Sequence, residues 1–213
     1  MDFSALIARL QDNYSLGLPG IVAQMRMAPH ARKAVRDINP DTLSSAPKAA
    51  VLALLLPLSD GKDMGILLME RSGGPGVHAG QISFPGGKHE GEETMLETAL
   101  RETVEETGVD KEMIKTVGPL TPLYIPPSNF HVYPFVGYVN QLPEFKLSQL
   151  EVSRLLIPSV TELLEGRHSD NEIFISSSGI SVTAPCFLAG EDKIWGATAM
   201  MISELLDLLK RSR

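Results

Sequence analysis

The segment GKHEGEETMLETALRETVEETGV, residues 87–109, decides how this chain is read. Thr94 with Glu97 three residues later makes a capping-box pattern, and Gly108 stands where a helix ends in the left-handed C′ position. Between them Leu96, Ala99, Leu100, Thr103 and Thr107 fall on one helical face, which is expected to bury. Glu102, Glu105 and Glu106 sit at i, i+3 and i+4, opposite or lateral to that stripe, and are expected to point into a cleft. Carboxylates so spaced repel each other by roughly a few tenths of a kcal/mol per exposed pair, and by more in a cleft. A hard divalent cation relieves that repulsion, since Mg²⁺ takes one or two carboxylates together with waters and substrate phosphates. Arg101 reaches Glu105 at i+4 and would orient it. Three glutamates alone are better explained as a solvated acidic helix face; the spacing around them changes the weighting.

Upstream, Phe3, Leu6, Ile7 and Leu10 stand at helical spacing and predict an N-terminal amphipathic helix over 2–11. Residues 12–47, rich in Pro, Gly and Met, continue as an extension packed on the domain that begins at 48. The apolar run Ala49 to Leu56 reads as a strand, Gly61-Lys62 as a turn, and Gly65 to Glu70 as a second strand. Gly73 to Gly80 is a loop, Gln81 to Phe84 a short strand, and Pro85-Gly86-Gly87 its stop. Downstream, Ile114 to Tyr124 and Val132 to Asn140 read as strands around a proline-rich loop. Pro158 to Gly166 holds a short helix. Glu172 to Ser176 and Ile180 to Leu188 form a hairpin, and Thr198 to Arg211 an amphipathic helix. This order predicts an α/β fold with a mixed sheet.

The composition fits a folded domain: 213 residues, 43% hydrophobic and 21% charged. The longest apolar run, Ala49 to Leu58, is about half of the ~20 residues a bilayer span needs. No secretory pattern opens the chain, so a cytoplasmic protein with no membrane contact is expected. The one cysteine, Cys186, lies in an apolar run and reads as a buried structural thiol. A formal charge of −7 argues against a nucleic-acid partner. A phosphorylated small molecule is compatible with it if cations stand between the two. The basic stretch His30 to Arg36 reads as a solvated helix face.

Gly87, Glu93, Arg101, Glu102, Glu105, Glu106, Gly108 and Val109 match the pattern G-x5-E-x7-R-E-U-x-E-E-x-G-U, with U aliphatic. On these residues the chain resembles the Nudix hydrolases; Thr103, at the first U, is the soft departure. The resemblance implies a Nudix-type α/β/α sandwich with a mixed sheet, here with the N-terminal helical extension 1–47 and the hydrolase domain 48–213. It implies Mg²⁺ or Mn²⁺ as cofactor and a small-molecule diphosphate as substrate. It gives Glu102 and Glu106 as the first metal ligands, with Glu105 close behind, Glu93 an outer ligand, and the Gly86 or Gly87 carbonyl a further one. A glutamate then serves as general base to the attacking water, Glu105 being the candidate, with Arg101 bracing the carboxylates. A homodimer is open as an assembly.

Before the box, Leu67-Leu68-Met69-Glu70-Arg71-Ser72, Gly80 and Phe84-Pro85-Gly86-Gly87 resemble the signature LLTxR(S/A)x3Rx3Gx3FPGG of the coenzyme A pyrophosphatase branch. Met69 replaces its threonine and Gly76 its second arginine. Glycine offers no guanidinium fork to a phosphate, so Arg71, His78 and Lys88 are the nearby alternatives. Lys193 to Ala199 resembles a further stretch of that branch. The implied reaction splits coenzyme A into adenosine 3′,5′-bisphosphate and 4′-phosphopantetheine. Phe84 and Phe130 are expected in the substrate pocket. Phe130 belongs to the loop Tyr124 to Tyr133, whose aromatic rings suit adenine stacking or, equally, a stiff connector. The competing readings are an ADP-ribose or other nucleoside-diphosphate hydrolase, favoured by Gly76, and a non-hydrolysing nucleotide sensor, disfavoured by the full set of box glutamates.

Overall fold

Strand β1, Lys48–Leu58, is apolar on both faces, and the fold is layered around it. Ala49, Ala53 and Leu55 enter one core; Ala50, Leu52, Leu54 and Leu56 enter another. Alternate residues of a strand project to opposite faces, so helices must cover both. The computed structural model describes residues 2–33, 39–72, 80–166, 168–175 and 179–211. Much of the loop expected over 73–80, with His78 and Gly76, lies outside them, as do residues 34–36 of the basic stretch and Ser177-Ser178 of the expected hairpin turn.

The helices are α1 (Phe3–Tyr14), α2 (Ile21–Met25), α3 (His30–Lys33), α4 (Pro40–Ser45), α5 (Met95–Thr107), α6 (Val160–Leu164) and α7 (Gly196–Lys210). After β1 the strands are β2 (Asp63–Ile66), β3 (Leu68–Arg71), β4 (Ile82–Ser83), β5 (Gly86–Lys88), β6 (Lys115–Pro119), β7 (Leu123–Ile125) and β8 (Phe130–Tyr138). They continue with β9 (Val152–Leu156), β10 (His168–Ile175), β11 (Ser181–Ala189) and β12 (Asp192–Trp195). The central sheet runs β2-β1-β8-β6, with β5 on β1 and β7 on β8. Its β1–β8 pair is parallel and the rest antiparallel, so the sheet is mixed. Two small sheets, β4-β3-β9 and β10-β11-β12, flank it. Helix α5 covers one face; α7, backed by α1 and α2, covers the other. Among the described residues no helix is long and apolar enough to cross a membrane.

Several elements differ from the expectation. The strand expected over 65–70 breaks at Leu67, because β2 pairs with β1 while β3 leaves for β4 and β9. The strand expected over 114–124 is two pieces, separated around Pro119 and Pro122, which lack the N–H a ladder needs. Gly86-Gly87 does not end a strand but forms β5. Strands β9 and β12 carry no clear alternation in sequence. Helix α7 is buried nearly all round rather than amphipathic, since α1 and α2 lie on its outer side. Each Leu or Ile it buries contributes about 1.5–3 kcal/mol.

A buried carboxylate ties the N-terminal residues to α7. Glu204, fully buried, accepts from Gly20 N–H (3.0 Å), Gln24 Nε2 (2.8 Å), Thr121 Oγ1 (2.6 Å) and Thr121 N–H (3.2 Å). Asn13 Nδ2 donates to the Leu208 and Arg211 carbonyls at 2.7 and 3.0 Å, satisfying groups at the end of α7. Glu204→Ala would leave the half-buried Gly20 and Thr121 donors without this acceptor and Gln24 Nε2 with only the Thr121 carbonyl, at up to about 1–3 kcal/mol each. We expect the melting temperature to fall by roughly 10 °C. Limited proteolysis should then cut within residues 15–30 first; an unchanged melt would show that the clamp does not hold the extension.

Candidate active site

Helix α5 starts and stops as its sequence dictates. Thr94 accepts from Glu97 N–H, and Glu97 accepts from Thr94 N–H at 2.7 Å, closing the capping box. Gly108 takes φ 72° and its N–H reaches the Val104 carbonyl at 2.8 Å. A β-carbon there would also strike the Lys146 backbone. Thr103, the departure from the pattern, is buried with its hydroxyl donating to the Ala99 carbonyl at 2.7 Å. The buried stripe includes Ala99, Leu100, Thr103 and Thr107, with Leu96 half-buried.

The helix lies on the β5 edge at very short range. A β-carbon on Gly87 would fall on the Glu102 carboxylate. One turn further, the Glu106 carboxylate accepts the Gly86 N–H at 2.8 Å. Glu106 is therefore on the buried side of α5, 1% exposed, rather than opposite it. Burial, against the Gly86 bond and nearby Arg71, and with Glu102 and Glu151 adding repulsion, raises its carboxyl to about 7. Burial also raises Glu102, in opposition to Arg101. Arg71 Nη1 stands 3.5 Å from Glu106 Oε1 and donates to the Gly86 carbonyl at 3.5 Å.

Arg101 organises the outer carboxylates. It reaches Glu105 at 3.2 Å, but also Glu102 at 2.8 Å and Glu93 through two nitrogens at 2.9 and 3.1 Å. That fork holds the Glu93 carboxyl near 2. Glu105 is the most open of the group, with 55% of its side chain exposed.

Among the described residues no three metal-binding side chains converge on one point. The reason is visible: Arg101 draws in the oxygens of Glu93, Glu102 and Glu105, and Glu106 is turned to Gly86 N–H. The donor set nonetheless suits a hard divalent cation. Two carboxylates with raised affinity for protons stand at one glycine edge, and one or two carboxylates are what Mg²⁺ requires.

Other expected residues fall elsewhere. Phe84 is 1% exposed in the core and has no face for a ligand. Phe130 packs against the α7-side core. Lys88 pairs with Ala49, whose side chain enters that same core, so Lys88 projects from the sheet face opposite Glu102. Cys186 is buried. Trp195 stacks on Phe174, ring centroids 4.3 Å apart. Glu151 escaped the sequence reading: it precedes β9, and its charge acts on both Glu102 and Glu106. No motif marks it, because it approaches through the fold. Ser148 N–H bonds to the Glu106 carbonyl, and Ser72 N–H to the Glu151 carbonyl. A groove of about 370 Å³ near Arg154 includes no box carboxylate, and Arg154 is already paired with Glu70 and Asp192.

Residues 47–174 match the NUDIX domain family. The chain is 29% identical to Nudix hydrolase 3 of Caenorhabditis elegans, over 80% of this chain and 78% of that protein. It is 31% identical to the mouse (Mus musculus) protein named mitochondrial coenzyme A diphosphatase NUDT8, over 78% of this chain and 80% of that one. A MutT/nudix family protein from Enterococcus faecalis shares the fold, with a TM-score of 0.52 and 18% identity over 83% of this chain and 66% of that one. With the box residues assembled at one glycine edge and the family match spanning most of the chain, this protein belongs to the Nudix hydrolase family.

Proposed function

We propose that this hydrolase cleaves the diphosphate of coenzyme A or its acylated or oxidised forms, giving adenosine 3′,5′-bisphosphate and a 4′-phosphopantetheine product. The observation that carries this reading is Arg71. It is the matched arginine of the upstream signature, and it stands beside Glu106 and Gly86. A guanidinium there can pair a phosphate oxygen. Similarity to a relative named as a coenzyme A diphosphatase supports the same reading. Residues 48–213 would form the catalytic domain and 1–47 its extension. Gly76, which offers no guanidinium, keeps ADP-ribose as the competing substrate.

Glu102 and Glu106 would hold Mg²⁺ or Mn²⁺, with the Gly87 carbonyl and Glu105 adjoining and Glu93 acting through Arg101. The bound cation would draw charge off the diphosphate and make a water acidic. Hydrolysis would form a bond from a water oxygen to one phosphorus while the bridging P–O bond breaks and its electron pair leaves with the other phosphate. The water's proton would pass to a carboxylate, the candidates being Glu105, exposed beside Arg101, and Glu151, whose charge acts on Glu102 and Glu106. Arg101 Nη1 bridges Glu102 and Glu105 and offsets their mutual repulsion.

With coenzyme A and Mg²⁺, product analysis should find adenosine 3′,5′-bisphosphate, and Glu106→Gln should lower kcat by about 10²-fold or more. Turnover of ADP-ribose alone would transfer the assignment to the competing substrate. Between Glu105→Gln and Glu151→Gln, the variant lacking the base should lose roughly 10²–10⁴-fold in kcat while retaining stabilisation by the cation. Equal small losses would place the base elsewhere.

The pH dependence has a definite sign. The Glu106 carboxyl titrates near 7 in the folded protein, above its ordinary 4.5. The folded state thus holds the proton more tightly, and this stabilisation, complete below 4.5, is lost as pH rises through 7. A cation competes with that proton. In chelator the melting temperature should fall between pH 5 and 8 by about several degrees, and Mg²⁺ should restore more at pH 8 than at pH 5.5. Glu106→Gln should flatten the fall; a wild-type melt independent of pH and Mg²⁺ would contradict the assignment.

A further inference from the structure

Beside α5, on the same face of the sheet, the ladder register sets out a second group of side chains. Residues directly opposite in a ladder project to one face. Ala50, Leu52 and Leu54 face α5, and their partners across the parallel ladder are Tyr133, Phe135 and Gly137. The same register places Lys48 opposite His131, and the β7–β8 ladder places Tyr124 opposite His131. Leu123 and Ile125, on either side of Tyr124, pack into the other core. Lys48, His131 and Tyr124 therefore form a row on the α5 face, with Tyr133 one step inward. Gly87, beneath the Glu102 carboxylate, is opposite Ala50, the neighbour of Tyr133. Tyr133 is thus two strand spacings from that carboxylate, about 10 Å.

The row is held in place but not covered. The His131 and Tyr133 rings lie 4.7 Å apart, tilted by 44°, with Tyr133 Oη 3.4 Å from His131 Nδ1. Tyr124 Oη donates to Asn129 Oδ1 at 2.7 Å, and Asn129 holds the hairpin turn at φ 56°. The three rings are half-buried and Lys48 is exposed. Burial, with Lys48 alongside, lowers the His131 pKa, so its ring is neutral at neutral pH.

We propose that this row binds the nucleotide half of the substrate: a purine against Tyr124 and His131, and a ribose phosphate on the Lys48 ammonium. Neutral rings stack on any base, and a lysine meets a phosphate as a point charge. The diphosphate then extends along the sheet towards Glu102 and Glu106. The substrate class is a purine nucleotide carrying a phosphate on its ribose, an assignment that rests on the coenzyme A reading and gives it a subsite.

Titration of the protein in chelator with adenosine 3′,5′-bisphosphate and with adenosine 5′-monophosphate tests the row without turnover. The wild type should prefer the bisphosphate. Lys48→Ala should abolish that preference. Tyr124→Ala, and Tyr124→Leu, which keeps an apolar side chain but no ring, should weaken both ligands by roughly 5- to 100-fold. For coenzyme A, KM should rise in these variants with kcat nearly unchanged. Folded variants that bind both nucleotides as the wild type does, and keep its KM, would overturn the subsite while leaving the coenzyme A reading intact. A wild type that binds the bisphosphate through this row yet turns over no coenzyme A form would sustain the subsite and overturn that reading.

Discussion

Helix α5 approaches the β5 edge more closely than a β-carbon would permit, and the site depends on that approach. Gly87 leaves room for the Glu102 carboxylate, and Gly86 turns its N–H to Glu106. Gly86 is itself pressed on β1, where a β-carbon would overlap the Ala50 carbonyl. Two glycines in succession thus bring a helix, an edge strand and the central strand together. The carboxylates are set by this backbone contact, not by the long reach of exposed side chains. Arg71 then comes to the same edge from β3, and Glu151 from the loop before β9.

The electrostatic consequence is a group of carboxylates under mutual repulsion. Glu93, Glu102, Glu105, Glu106 and Glu151 gather around the guanidiniums of Arg71 and Arg101. The outer pair, Arg101 with Glu93, is strongly matched, and Glu93 stays ionised. Of the inner carboxylates Glu106 is buried and Glu102 half-buried; they repel each other and bind protons more readily than free glutamate. Capping at both ends of α5 and the buried stripe beneath it hold the helix against that repulsion. The same arrangement would let a chain of net charge −7 meet a polyanion through an intervening cation.

The sequence was legible where local rules act alone. The capping box, the terminal glycine and the apolar run of β1 predict α5 and the central strand correctly. The family and its layered fold followed from one short pattern. The misses have a common cause, which is pairing decided by distant partners. Gly86-Gly87 has poor strand propensity, yet β1 recruits it as β5. Residues 65–70 read as one strand because the run is largely apolar, but they serve two sheets. Phe84 lies inside a signature motif that suggests a ligand contact, yet it is buried and fills the core. Glu151 and Lys48 carry no motif, and only the register and loop path bring them to the α5 side.

Anomalous scattering from crystals grown with Mn²⁺ bears most directly on the carboxylate edge. A peak between Glu102 and Glu106, with Arg101 withdrawn from Glu102, is the predicted result. Mn²⁺ found only on the exposed Glu90 and Glu92 loop, with Glu106 still bonded to Gly86 N–H, would contradict it.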